Sequence, residues 1–157
     1  MFRRLVRANR HGHTIGVDLS PKMAARTQTR ARGEFPGSRA HCQAVDARHM
    51  PFRDHSFDAV VCCYLLELLS ANDILRTVGE FHRVLGHKGR LALVLIGQCT
   101  PMFNRVYKIL GSVAPAFWGR QVERRVPELI EASEFRIVRD QTVHQSFYPS
   151  RVLVARK

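Results

Sequence analysis

Two aspartates and a Cys-Cys-Tyr triplet are the side chains best placed, by type and spacing, to do chemistry in this chain. In "HTIGVDLSPKM" (13–23) an apolar run ends on Asp18, and in "AHCQAVD" (40–46) another ends on Asp46. A carboxylate at a strand end accepts hydrogen bonds from a vicinal diol or an amino group more strongly than a neutral side chain does. Each also has a plainer reading as a turn former or helix cap, and Asp18 would then cap the helix that Ser20 begins. "FDAVVCCYLL" (57–66) places Cys62, Cys63 and Tyr64 at the end of a third apolar run, where core packing is the plainer reading for the thiols. His82, His87 and His144 are available as general bases, but nothing around them singles one out, and no catalytic residue is assigned.

The elements that must position these residues alternate between strand and helix. A strand over 13–18 precedes a helix over 20–32, with Ser20 as N-cap and Pro21 in the first turn, where a missing N–H costs nothing. After the loop "GEFPGSR", a second strand covers 40–46 and a third, continuously apolar, covers 57–66. A helix from Asn72 to Leu85 carries Ile74, Leu75, Val78, Phe81 and Leu85 on one stripe. "GHKG" is expected to break the chain before a strand over 90–97. "TPMFNRVYKILGSV" and "VPELIEASEF" read as helices, the latter with Pro127 in its first turn and Leu129 and Ile130 inward. "FRIVRD" and "SRVLVARK" read as an antiparallel pair at the sheet edge. Strands alternating with helices predict one α/β domain over 1–157 with a mostly parallel sheet.

Composition narrows the classes. At 45% hydrophobic residues, with no low-complexity tract, a packed core is expected over disorder. No run approaches the ~18 apolar residues of a membrane span, and "MFRRLVRANR" lacks the apolar centre of a signal peptide, which predicts a cytoplasmic protein. Cys42, Cys62, Cys63 and Cys99 form no C-x-x-C pair, so reduced, buried thiols are expected and no metal site. The net charge of +12 is spread along the chain and is almost all arginine, with lysine only at 22, 88, 108 and 157. Such a chain is drawn to anions, whether nucleic acid or an acidic membrane surface, and charge alone does not choose between them.

Taken together, "GVDLSPKM", "VDARHMPFRDHSFDAVVCCYLLELL" and "EFHRVLGHKGRLALV" resemble class I S-adenosylmethionine-dependent methyltransferases, most closely the small-molecule group that includes ubiquinone and menaquinone C-methyltransferases. The resemblance is specific over about 13–97, and "ELIEASEFRIV" continues it more loosely. It implies the Rossmann-like fold of that class with S-adenosyl-L-methionine as cofactor. By the resemblance, Asp18 would hold the cofactor's ribose hydroxyls with Leu19 beside the adenine. Asp46 would take the adenine amino group, the backbone N–H of Ala47 a ring nitrogen, and Cys62, Cys63 and Tyr64 would lie near the methionine end. Met50-Pro51-Phe52 matches the family's small apolar turn. Methyl transfer from a sulfonium needs mainly alignment and exclusion of water, so no catalytic triad is expected.

The family's first strand and its Gly-rich D-x-G-x-G turn have no counterpart here, and "FRRLVRANRHG" reads as the tail of the helix that follows that turn. The expectation is therefore an N-terminally truncated fragment whose sheet lacks its first strand and which binds the cofactor weakly or not at all. The acceptor implied is a small molecule, lipid-like or quinone-like. The apolar and basic "TPMFNRVYKILGSVAPAFWGR" would meet it, with peripheral contact to an anionic membrane surface. Two alternatives stand beside this. One is a non-catalytic remnant acting as an interaction module. The other is a nucleic-acid methyltransferase, disfavoured because the third apolar run lacks the acid-Pro-Pro-aromatic motif that grips a flipped base. The oligomeric state is not legible.

Overall fold

The computed structural model describes residues 1–97, 125–144 and 149–157. Their contacts group into two compact units, residues 1–51 and 52–157. The helix expected over "TPMFNRVYKILGSV" and the thiol of Cys99 lie outside the described residues.

The first unit runs α1 (Phe2–Ala8), β1 (Thr14–Asp18), α2 (Pro21–Glu34) and β2 (Ala40–Ala44). The expected helical tail is α1. Ser20 caps α2, its hydroxyl accepting from the Met23 N–H at 3.4 Å, and Pro21 fills the first turn as expected. The helix runs two residues beyond the expected boundary, to Glu34, whose carboxylate pairs with Arg3 of α1. β1 and β2 are parallel, with Thr14 opposite Ala40 and Asp18 opposite Ala44. The outer edge of β2 is satisfied by a side chain: Gln28 of α2 accepts from the Cys42 N–H at 2.6 Å and donates to the Ala40 carbonyl at 3.3 Å. Among the described residues β1 pairs with β2 alone, and Ile15 and Val17 are exposed.

Gly16, at the middle of β1, is required by closeness. A Cβ there would lie 2.9 Å from Cys42 Sγ and 3.0 Å from the Phe2 ring. Gly16→Ala is expected to destabilise the protein by about 1–3 kcal/mol, because sulfur and ring must both give way. Chemical denaturation checks this, and a neutral result would show that α1 is not seated on β1.

The second unit contains β3 (Phe57–Cys63), a 3₁₀ turn (Leu66–Leu68), α3 (Ala71–Val84), β4 (Leu85–Ile96), α4 (Val126–Ala132), β5 (Arg136–Val143) and β6 (Ser150–Arg156). Its sheet has the order β3-β4-β6-β5, with β3 and β4 parallel and the last two pairings antiparallel. The expected antiparallel pair at the edge is β6 and β5. Among the described residues β3 pairs with β4 alone.

The core lies on one face of this sheet, where Leu91, Leu93, Leu95, Leu153 and Ala155 are all nearly inaccessible to solvent. α3 contributes Ile74, Val78 and Phe81 to the core, and Leu85, just past its end, is also buried. Leu75 departs from the expected stripe and is 44% exposed, because the buried arc is narrower than the sequence periodicity suggests. Of the pair expected inward on α4, Ile130 is buried and Leu129 half-buried. The Gly-His-Lys-Gly segment does not break the chain. Leu85 already faces Phe57, and β4 crosses the segment as an irregularity before Ala59 meets Arg90, with Lys88 at a φ of 65°. A bulge absorbs the extra residues while keeping the strand paired.

Candidate functional site

Asp18 closes β1, and its carbonyl accepts from the Val45 N–H at 3.0 Å just past the end of β2. The carboxyl ends of the two parallel strands therefore hold Asp18 and Asp46 side by side, the position where open α/β sheets bind ligands. Asp18 forms the turn that its plainer reading expected. Its Oδ1 accepts from the Ser20 N–H at 2.8 Å, steering the chain into α2. Its Oδ2 makes no protein hydrogen bond among the described residues. Leu19, beside it, is 70% exposed, an apolar side chain left bare next to a carboxylate.

Asp46 lies two residues beyond the end of β2 rather than on it. Its carboxylate is taken by Arg48: the backbone N–H donates to Oδ1 at 2.9 Å, and the guanidinium holds both oxygens, closest at 2.7 Å to Oδ2. The signal was in the sequence as "DAR", an acid and a base two apart in a turn, but nothing in composition or period singles it out. The intervening Ala47 is half-buried, and its N–H has no hydrogen-bond partner among the described residues.

The Arg48 hydrogen bonds hold the Asp46 carboxyl at about 2, well below the ordinary carboxylate range. A carboxyl depressed in the folded state stabilises the fold above its unfolded pKa of ~4 and loses that contribution as pH falls from there through about 2. Arg48→Ala is therefore expected to raise the Asp46 pKa toward ~4. Carbon-detected NMR titration of the carboxyl reads this directly, and an unmoved value would assign the shift to the turn backbone.

In the second unit, β3 ends on Cys62 and Cys63, which pair in register with Leu93 and Val94. Cys62 is buried, and burial first, then the neighbouring Cys63 and Glu67, pushes its thiol up to about 12. Burial also raises the Cys63 thiol, and Cys42, Cys62 and Cys63 are all free of disulfides. Tyr64 follows with a φ of 54°, a left-handed conformation costing a non-glycine residue about 1–3 kcal/mol. It is held there by its N–H donating to the Val94 carbonyl at 2.9 Å and by a 2.8 Å hydrogen bond between its hydroxyl and Ser150 Oγ at the start of β6. Sequence reasoning missed Ser150, 86 positions away. It also missed buried Glu67, whose Oε1 accepts from the Ile96 N–H at 2.7 Å.

The candidate histidines are not gathered at these strand ends. His82 packs edge-on against Phe135, with burial, then Lys157, lowering its pKa. His87 stacks on His55, and His144 is exposed beyond β5.

The model of the methyltransferase domain matches residues 1–93, more than half of the chain. This chain belongs to the methyltransferase-domain family. Among curated proteins it is similar to the 2-phytyl-1,4-naphtoquinone methyltransferase of Nostoc sp., 30% identical over 83 residues, covering 53% of this chain and 35% of that protein. It is also similar to the demethylmenaquinone methyltransferase of Thermus thermophilus, 31% identical over 128 residues, covering 75% and 55%. The methyltransferase-domain chain thus spans between about a third and about half the length of these relatives. Among solved structures, an S-adenosylmethionine-dependent methyltransferase from Methanosarcina mazei superposes with a TM-score of 0.82 at 20% identity, over 98% of this chain and 86% of that one. That likeness shows the fold: an α/β, Rossmann-like class I methyltransferase architecture. Among the described residues, no helix of this methyltransferase-domain chain is long and apolar enough to cross a membrane.

Proposed function

We propose that this chain binds S-adenosyl-L-methionine by its nucleoside half at the carboxyl ends of β1 and β2, and that the protein methylates a small, quinone-like acceptor. The observation that carries the reading is the grouping of a free Asp18 Oδ2, an exposed Leu19 and an unpartnered Ala47 N–H on two adjacent strand ends. An anionic acceptor for a diol, an apolar shelf and a lone donor suit a nucleoside. Asp46 suits it less well, since its carboxylate is already held by Arg48.

The cofactor would bring a methyl group already activated on a sulfonium. The chain's part is alignment and exclusion of water. Asp18 fixes the sugar, Leu19 covers a face of the base, and the Ala47 N–H reads a ring nitrogen. At the end of β3, burial raises the pKa values of Cys62 and Cys63, so both thiols stay protonated at neutral pH. In the second unit, Tyr64 is pinned by Ser150 in the turn that follows β3. Similarity to two quinone methyltransferases supports the acceptor class. A charge of +12 favours collecting such an acceptor at an anionic membrane surface.

Calorimetric titration with S-adenosylhomocysteine, followed by transfer of labelled methyl to a demethylated naphthoquinone, tests both halves. Saturable, Asp18-dependent binding supports the reading. No binding at all would sink the proposed nucleoside site and match both the truncated-fragment expectation and a non-catalytic interaction module.

A further inference from the structure

The register of the second unit lines up three arginines that lie far apart in sequence. Arg90 on β4 faces Arg156 on β6, and Arg156 faces Arg136 on β5. Direct partners across antiparallel strands project from the same face, and like charges placed opposite one another destabilise the sheet. All three are exposed, and none has an ion pair among the described residues. The same two outer strands do pair charges further along, where Arg151 Nη2 meets Asp140 Oδ2 at 2.6 Å. The row is thus a local excess of charge on strands that neutralise charge elsewhere.

Beside the row lies a cavity of about 350 Å³ lined by Lys88, Glu134, Arg136, Arg156 and Lys157. Four cations surround one side-chain carboxylate. That carboxylate is turned mostly to solvent, 85% exposed, and reaches only to within 4.0 Å of His82 Nε2. Lys157 is fixed in place, its Nζ donating to the carbonyls of His82 at 2.7 Å and Leu85 at 2.9 Å. Lys88 sits in the β4 irregularity with its left-handed φ, and Lys157 N–H bonds the Gly89 carbonyl at 3.1 Å. Three ordered strands and a bulge therefore fix the backbone positions from which the cations extend, and Lys157, whose Nζ also lies 3.3 Å from His55 Nδ1, adds charge to the rim.

We infer that this cavity and the arginine row beside it form an anion site for a ligand carrying two linked phosphates, apart from the Cys62–Tyr64 end of β3. Across three strands the row spans about 10 Å, more than one phosphate needs, and arginine's planar fork matches phosphate oxygens two at a time. Its place on the sheet keeps it apart from Cys62–Tyr64. Arg90 is opposite Ala59, four residues before the Cys63–Val94 pair, so the two sites lie about 13 Å apart along the strands.

Titration of the whole chain with inorganic pyrophosphate, at low and at moderate salt, tests the site. One saturable site is expected, weakened at least about tenfold in Arg156→Gln by loss of the bidentate pair at the centre of the row. Arg10→Gln removes the same charge from the exposed residue Arg10 of the first unit and is expected to leave binding unchanged. Without ligand, Arg156→Gln is expected to be at least as heat-stable as the parent, since a like-charge contact is gone, so misfolding is distinguishable from loss of the site. Sedimentation with phosphatidylcholine vesicles containing diacylglycerol pyrophosphate, a lipid with two linked phosphates, separates the two sources of phosphate. Arg156-dependent vesicle binding displaced by pyrophosphate assigns a lipid headgroup, and pyrophosphate binding without vesicle binding assigns a soluble ligand. Equal losses in both variants, no pyrophosphate binding, or uptake of a DNA duplex that pyrophosphate does not displace would overturn the inference.

Discussion

Asp18→Ala is expected to weaken binding of S-adenosylhomocysteine about a hundredfold while the chain stays folded, a loss of roughly 2.7 kcal/mol. Hydrogen bonds to a charged group are worth about 1.5–3 kcal/mol each, and a diol offers two donors to one carboxylate. The protein side gives up little, because the only hydrogen bond that the Asp18 side chain makes among the described residues is from the Ser20 N–H, and α2 keeps its own cap in the Ser20 hydroxyl. That lost contact is worth about 0.5–1.5 kcal/mol, so thermal unfolding shifts by a few degrees. Asp18→Asn keeps an acceptor for Ser20 and removes the charge, and is expected to fall between the two. Equal affinities in all three proteins would move the sugar away from β1 and with it the proposed site.

Leu93→Ala is expected to lower the stability of the chain by about 3 kcal/mol, within the roughly 2–5 kcal/mol seen for buried leucines. Leu93 is the centre of a row that crosses the sheet, facing Cys62 on β3 and Leu153 on β6. All three are buried, Leu93 and Leu153 at 1% exposure, so the cavity left by three lost carbons, Cγ and its two methyls, has rigid walls on both sides. β4 itself is clamped between two paired strands and cannot move in to fill the space. The midpoint of urea unfolding reads this effect. A loss under about 1 kcal/mol would mean that the row can collapse and the core is looser than its burial implies.

The alternation of strands and helices was legible because each apolar run is bounded by Gly, Pro or a capping residue. Ser20-Pro21 announces α2 by chemistry local to two residues, and it formed as expected. The Gly-His-Lys-Gly segment misled because its glycines signal a turn, whereas the pairing of Leu85 with Phe57 holds the segment to the sheet. That is a tertiary decision. Leu19 and Ala47 enter only through the family resemblance, whereas Asp18 could be picked out from its strand end. The state of Asp46 could not, since Arg48 can either clasp that carboxylate or reach into solvent from the same sequence. The arginine row was invisible for a different reason: Arg90, Arg136 and Arg156 meet only because β6 inserts between β4 and β5, and register between distant strands is not written in local pattern.

The outer edge of β1 has a colloidal consequence. β2 has its Cys42 amide and Ala40 carbonyl answered by Gln28, while β1, among the described residues, pairs on one side only, beside the exposed side chains of Ile15 and Val17. Two molecules meeting along that edge would find a ready template for pairing. What keeps them apart in dilute buffer is long-range repulsion between bodies that each carry +12. Added salt shortens the reach of that repulsion to about 10 Å at 0.1 M and leaves the apolar edge untouched. The usual remedy for a sticky basic protein, more salt, therefore works against this one.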